Sequence, residues 1–165
     1  MHQHLRQPFA IEIASRSDLA RILQLQKTAY LSEAEIYGDC NIPPLLQTLE
    51  DLEAEFETML FLKIEIDGAL VGSVRACEKD GVCHIGKLIV SPERQNNGLG
   101  SALLLEMERH FPHVSAYALF TGGKSSKNLG LYDKHGYVRT ERTRVSDALT
   151  VVHLRKPNRH CRPQE

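Results

Sequence analysis

The sequence predicts an α/β domain built on a mixed central β-sheet with helices on both faces, in the order βααβββαβαββ. Three observations carry this. Two Asp-Gly dipeptides, Asp67-Gly68 and Asp80-Gly81, separate three successive strand-like runs, and Asp-Gly is a strong hairpin signal. The third run is apolar on both alternating faces, with Val82, Leu88 and Val90 on one and Cys83, Ile85 and Ile89 on the other, as in a central strand covered from both sides. That run passes without a linker into a glycine-rich turn and then a helix.

The elements follow in order. Phe9 to Ala14 alternates as a short strand. Ser17 is placed to cap a helix in which Leu19, Ile22, Leu23, Gln26, Ala29 and Tyr30 keep helical spacing with one polar exception, and the helix is expected to end near Leu31. A loop containing Glu33, Glu35 and Tyr37 follows. Pro43-Pro44 then introduces a second helix with Leu45, Leu49, Leu52 and Phe56 on one side. Strands from Leu60 to Ile66, Ala69 to Glu78 and Val82 to Val90 come next. After them stand the turn from Asn96 to Gly100, a helix to about Phe111 and a strand from Ser115 to Thr121. A short helix from about Lys127 to His135 and a hairpin of Tyr137 to Val145 and Leu149 to Lys156 complete the fold. Residues 1–156 are expected to form one domain, and residues 157–165, with Arg159 and Arg162, a solvated tail.

Composition excludes several classes. A chain of 165 residues, 42% hydrophobic, with net charge -1, has the material for a full core and no bias toward nucleic acid or a membrane surface. No apolar run approaches the roughly 18 residues a bilayer span needs, and Met1 to Pro8 is polar with no apolar signal core, so a cytoplasmic address is expected. Cys40, Cys77, Cys83 and Cys161 are expected to be reduced thiols, with Cys77 and Cys83 the pair to inspect because they flank a hairpin turn. There is no C-x-x-C, H-E-x-x-H or acidic calcium loop, and Pro112 breaks the helical face that His110 and His113 would need. No metal is expected.

The stretch from Lys87 to Ser101 is the most informative. A helix whose first turn holds Gly98, Gly100 and Ser101 presents amides with no intrahelical partner, and these, with the helix dipole, form a cradle for an anion. Glycine lets a phosphate approach the backbone. A purely structural reading, a turn at Asn97-Gly98 and a helix cap, fits the glycines equally well. The spacing lacks the third glycine of G-x-G-x-x-G, and Gly122-Gly123-Lys124-Ser125 has Ala118 where a P-loop needs its first glycine, so neither nucleotide motif applies.

Gln95-Asn96-Asn97-Gly98-Leu99-Gly100 resembles the Q/R-x-x-G-x-G/A signature of the GNAT superfamily of N-acetyltransferases, and the element order is similar along nearly the whole chain. Downstream, Asn128-Leu-Gly-Leu-Tyr-Asp-Lys-His-Gly-Tyr137 resembles the family's short helix with L-Y-x-x-x-G-F/Y. The resemblance implies acetyl-CoA as co-substrate, with its pyrophosphate on the amides of residues 96 to 101 (Asn96, Asn97, Gly98, Leu99, Gly100, Ser101) beside Gln95, and its pantetheine arm along Leu88, Ile89 and Val90. It further implies that Tyr132 protonates the departing thiolate. The family's CoA-contacting asparagine commonly stands seven residues before that tyrosine, where this chain has Ser125, whereas Asn128 stands four before; both are candidates.

The attacking amine must be neutral, which requires a proton acceptor for a group with a pKa near about 10. The family's frequent glutamate on the central strand is absent: the equivalent region holds His84, Gly86 and Lys87. His84 is one candidate base; Glu33 and Glu35, in the expected loop beside the acceptor, are the rivals. From Ser32 to Glu57 there are eight carboxylates and no Lys or Arg, which is either a solvated face or a rim that favours cationic amines. The expected activity is direct acetyl transfer to a primary amine in a ternary complex, the acceptor a small molecule. Turnover through Cys77 or Cys83, a non-catalytic acyl-CoA sensor, and transfer to a protein N-terminus or lysine are the alternatives. The terminal hairpin offers an edge for a homodimer.

Overall fold

The structure, a computed structural model, describes residues 9–160; Met1–Pro8 and Cys161, with the rest of the tail, lie outside them. One seven-stranded sheet runs through the molecule in the order β1-β2-β3-β4-β5-β7-β6. Its strands are β1 (Ala10–Ile13), β2 (Leu60–Ile66), β3 (Ala69–Lys79), β4 (Val82–Val90), β5 (Ala116–Gly122), β6 (Val138–Arg144) and β7 (Thr150–Pro157). All neighbours are antiparallel except β4 and β5. The two Asp-Gly turns form as expected, with Asp67, Gly68, Asp80 and Gly81 all at positive φ, the geometry of tight type I′ hairpins.

Among the described residues five α-helices cover the sheet: α1 (Leu19–Tyr37), α2 (Pro43–Leu46), α3 (Leu49–Phe56), α4 (Leu99–Arg109) and α5 (Ser126–Lys134). On one face Leu19 and Ile22 of α1 pack with Leu52 of α3 against Phe61. On the other, Leu99, Leu103, Leu104 and Met107 of α4 and Leu129 and Tyr132 of α5 pack against Val74, Cys83, Ile85 and Leu154.

Several boundaries differ from the sequence reading for identifiable reasons. The chain makes a 3-10 turn over Arg16–Asp18 before α1, so Ser15 rather than Ser17 is the capping residue: its amide donates to Asp18 Oδ2 at 2.8 Å. Helix α1 does not end at Leu31 but continues to Tyr37, where Gly38 at φ 62 closes it in the left-handed conformation. Glu33, Glu35 and Tyr37 are therefore helical, not loop, residues. The second helix is two: Gln47 is extended, and Thr48 starts α3 with a reciprocal capping box to Asp51 at 2.9 and 3.1 Å. Strand β7 includes Pro157, and Asn158 Nδ2 donates to Val114 O at 2.9 Å, so order extends past Lys156.

The most consequential departure is in β4. Register slips between Ser73 and Arg75 on β3, and opposite the slip Lys87 adopts φ 50, a bulge that resets the alternation. Cys83, Ile85, Leu88 and Val90 consequently share one core, instead of dividing between faces as strict alternation requires. Beside this bend the sheet opens: β4 and β5 pair only through Val82–His84 against Ala116–Ala118. Beyond His84 the β5-facing backbone edge of β4 has no strand partner.

Candidate active site

Two adjoining cavities occupy that opening. The first, about 590 Å³, runs along Leu88, Ile89 and Val90, over the turn from Arg94 to Ser101, and along α5 from Ser126 to Lys134. The second, about 300 Å³, lies between Gly86 and Lys87 on β4, Thr121 and Gly122 on β5, Pro43 and Pro44 of α2, and Leu149. Tyr30, Glu33, Leu88 and Asn128 line both, so the cavities meet there.

The turn before α4 is held in shape by side chains. Gln95 Nε2 donates to Val90 O at 3.2 Å while its Oε1 accepts from Lys127 Nζ at 2.7 Å, and Asn97 Nδ2 donates to Arg94 O at 3.3 Å. Asn96 and Gly98 take left-handed φ of 66 and 80. The first helical bond of α4 runs from Ala102 N to Gly98 O at 3.0 Å, which leaves the amides of Leu99, Gly100 and Ser101 without intrahelical acceptors. Gly98 is needed for its φ. Gly100 is different: a Cβ there would meet only Leu131 at 3.5 Å and Val90 at 3.9 Å, ordinary contacts, so packing does not require glycine. Its bare backbone instead borders the first cavity, whose charged lining is three cations, Arg94, Lys127 and Lys134, and one acid, Glu33. Ser101 Oγ is bonded to His135 Nε2 at 2.8 Å.

At the junction, α1 presents Tyr30, Glu33 and Tyr37 on one stripe. Lys124 N donates to Tyr37 Oη at 2.9 Å, Tyr37 Oη donates to Ser125 Oγ at 3.3 Å, and the Ser125 hydroxyl donates to Glu33 Oε2. Glu33 is thus fixed by one oxygen, and no described group bonds the other. Tyr132, buried in α5, packs edge-on against Tyr137 with centroids 5.9 Å apart and faces the second cavity; no described residue bonds its hydroxyl. Burial, then the nearby Tyr30 and Glu33, push its phenol well above the ordinary tyrosine value. Burial and Glu33 likewise push Tyr30 up to about 12. Asn128 Nδ2 donates to Thr121 Oγ1 at 3.3 Å.

The structure therefore gathers Tyr132, Glu33, Ser125 and Asn128 with Leu88–Val90, Gln95, Asn96 and Gly98–Ser101 around one opening. It does not bring His84 or Glu35 there: both are exposed and border neither cavity, His84 because it stands where β4 and β5 still pair. Asn97 is also off the lining and acts through its turn bonds. Of the eight carboxylates between Ser32 and Glu57 only Glu33 borders a cavity; Glu55 pairs with Arg75 at 2.8 Å, Glu57 with Arg16, and Asp51 caps α3. Apart from Glu33, the acidic run borders neither cavity. Cys40, Cys77 and Cys83 are free thiols, and burial pushes the Cys83 thiol up to about 12. Sequence reasoning missed Tyr30, Tyr37 and Lys87 as site residues; the signal for the first two was the continuing 3-4 spacing from Tyr30 through Glu33 to Tyr37, closed by Gly38.

Residues 41–157 match the pattern of the acetyltransferase (GNAT) domain. The chain belongs to the GNAT family. GNAT structures share its architecture. The ribosomal-protein-S18-alanine N-acetyltransferase from Escherichia coli superposes with a TM-score of 0.77 at 16% identity, over 95% of this chain and 97% of that one. A GNAT phosphinothricin acetyltransferase from Sinorhizobium meliloti, solved in complex with acetyl-CoA, gives 0.76 at 16% identity, over 96% and 95%. A curated relative, the UPF0157 protein YqkA of Bacillus subtilis (strain 168), is 28% identical over 135 residues, 81% of this chain; the match spans only 39% of that protein's length. Among the described residues no helix is long and apolar enough to cross a membrane, and no three His, Cys, Asp or Glu side chains gather where they could hold a metal ion.

Proposed function

We propose that this chain is an acetyl-CoA-dependent N-acetyltransferase that moves the acetyl group to a primary amine by direct attack, donor and acceptor being bound together. The observation that carries this reading is the meeting of the two cavities at Tyr30, Glu33, Leu88 and Asn128, beside the unpaired edge of β4. The residues present fit the donor. Free amides at Leu99–Ser101, a bare backbone at Gly100 and three flanking cations suit a diphosphate, and the open edge of Leu88–Val90 offers backbone partners for a pantetheine arm and donors for a thioester oxygen. Acetyl-CoA supplies the activated acetyl group.

The chain's own side chains divide the proton work. An ammonium has no lone pair, so Glu33, held by Ser125 and lining both cavities, takes the proton from the incoming amine. Tyr132 stays protonated because burial raises its phenol; as the carbon–sulfur bond breaks it passes its proton to the departing sulfur and regains one from the nitrogen that has become an amide, so thiol and amide leave together. Cys83 is sealed in the core with a raised pKa, which supports direct attack over an acyl-cysteine. A second cavity of about 300 Å³ favours a small acceptor over a protein segment.

The test is thiol release from acetyl-CoA with a panel of amines. The proposal expects thiol that depends on an amine and a stoichiometric N-acetyl product. Tight donor binding without acceptor-dependent thiol makes the chain an acyl-CoA-binding sensor instead.

A further inference from the structure

Lys87 stands out in the second cavity. It occupies the β4 bulge at φ 50, lines this cavity and not the first, and forms no hydrogen bond or ion pair with any described residue. Its neighbour Arg75 is fully engaged: Nε with Glu55 at 2.8 Å, one terminal nitrogen with Gln26 Oε1 at 3.1 Å and the other with Gln47 Oε1 at 2.8 Å. Glu55, paired with Arg75 and accepting from Gln47 Nε2 at 2.8 Å, forms no ion pair with Lys87, which is left as a half-buried cation beside a second cation. Burial first and Arg75 second lower its pKa, the direction expected of an amine with no contact partner, and the nearby Glu55 carboxylate opposes them in part. A desolvated charge without a partner is unfavourable, and an arriving anion relieves it.

Resting on the transferase reading above, we propose that the acceptor is an amine that also carries a carboxylate, bound with its anionic group on Lys87 and its amine toward Glu33. Glu33 and Lys87 are the only charged residues among those lining the second cavity, and only Glu33 also borders the first, so the acid lies where an amine meets the donor and the lysine serves the second cavity alone. Much of the remaining wall, including Ile42, Pro44, Phe120 and Leu149, is apolar. A cavity of about 300 Å³ with one acid, one base and apolar walls has the size and charge pattern for an α-amino acid or a near relative with an apolar side chain. A polyamine, by contrast, brings a second cation against Lys87, which is the repulsive element of the selectivity.

The experiment measures equilibrium binding of product-like probes by calorimetry, with and without CoA. The probes are N-acetyl derivatives of glycine, leucine, methionine and phenylalanine, each compared with its carboxamide. The wild-type chain should bind at least one acid more tightly than its amide by about tenfold or more, as a charge-assisted hydrogen bond provides. Lys87→Gln should bring that ratio to near one by weakening the acid alone, Lys87→Arg should keep most of it, and CoA affinity should be unchanged in both. Equal affinity of acid and amide, binding of neither, or a ratio that survives Lys87→Gln overturns the proposal. Loss of CoA binding by the wild-type chain counts against the transferase reading instead, and the acid-amide comparison is then read on the chain alone.

Discussion

Gly122→Ala is the substitution through which the site's internal scaffold can be tested most sharply. A Cβ at Gly122 would lie 2.0 Å from Tyr37 Oη, 2.6 Å from its Cζ and 2.9 Å from its Cε2. Ordinary carbon contacts are about 3.5–4.0 Å, so the ring has to move by more than 1 Å. The strand cannot yield in its place, because Gly122 is in register with Val151 and Gly123 N is bonded to Thr150 O at 2.8 Å. Tyr37 is itself buried, and shifting it removes the acceptor of the Lys124 amide and the partner of Ser125. Overpacking costs about 1–3 kcal/mol and a stranded amide a similar amount, so about 2–5 kcal/mol of stability should be lost. For a domain of this size that is a fall of roughly 5–15 °C in Tm. Because Ser125 holds Glu33, turnover should fall by about tenfold or more even at temperatures where the variant is folded. Urea unfolding, thermal unfolding and thiol release are the assays. Tyr37→Leu removes all three clashing atoms, so Gly122→Ala placed on that background should add less than about 0.5 kcal/mol. A Gly122→Ala chain within about 0.5 kcal/mol of the wild type, or full additivity with Tyr37→Leu, would refute the reasoning.

Three further outcomes follow from the same geometry. Gly100→Ala should leave stability unchanged or raise it by up to about 1 kcal/mol, since a Cβ fits and alanine favours a helix, while weakening CoA binding by calorimetry; undiminished affinity would make the glycine incidental. Tyr132→Phe should lower kcat by about 10²-fold or less with little change in donor affinity, and the wild-type rate should show no alkaline limb from Tyr132 in the usual assay range because its phenol is raised; equal turnover across pH would remove it from the chemistry. Asp18 is partly desolvated, but the Ser15 amide, Lys63, Arg21 and the Ser15 hydroxyl hold its carboxyl well below the usual range. Its stabilisation is then complete above about pH 5 and drains away at lower pH, so Asp18→Asn should be less stable at pH 7 and converge on the wild type as the urea midpoint is followed into acid.

How much of this was readable from residues alone depended on whether a local rule governed them. Asp67-Gly68 and Asp80-Gly81 turn the chain where they stand because both residues of each pair accept positive φ. The helix that starts after Gly98 and the short helix carrying Tyr132 were likewise legible, the first because a glycine at positive φ marks where the turn hands over to the helix and the second because its motif resembles the family's. The end of α1 was not. Leu31 and Ile36 are exposed and Glu33 faces the cavities, so the last two turns bury only Ala34 and Tyr37 and the hydrophobic periodicity fades before the helix does. The bulge at Lys87 was hidden for a different reason. A lysine at positive φ has no sequence signature, and one inserted residue reverses which side chains of β4 share a face, moving Leu88 and Val90 to the side of Cys83 and leaving His84 away from the opening.

The central claim is that a diphosphate-bearing thiol cofactor lies along the unpaired edge of β4 and over the first turn of α4. Titrating the ¹⁵N-labelled chain with CoA tests it directly. Saturable shifts concentrated at the amides of Leu88–Val90 and Asn96–Ser101, with smaller ones along α5, are the predicted result. Saturation without shifts at those amides, or no binding at millimolar CoA, would contradict it.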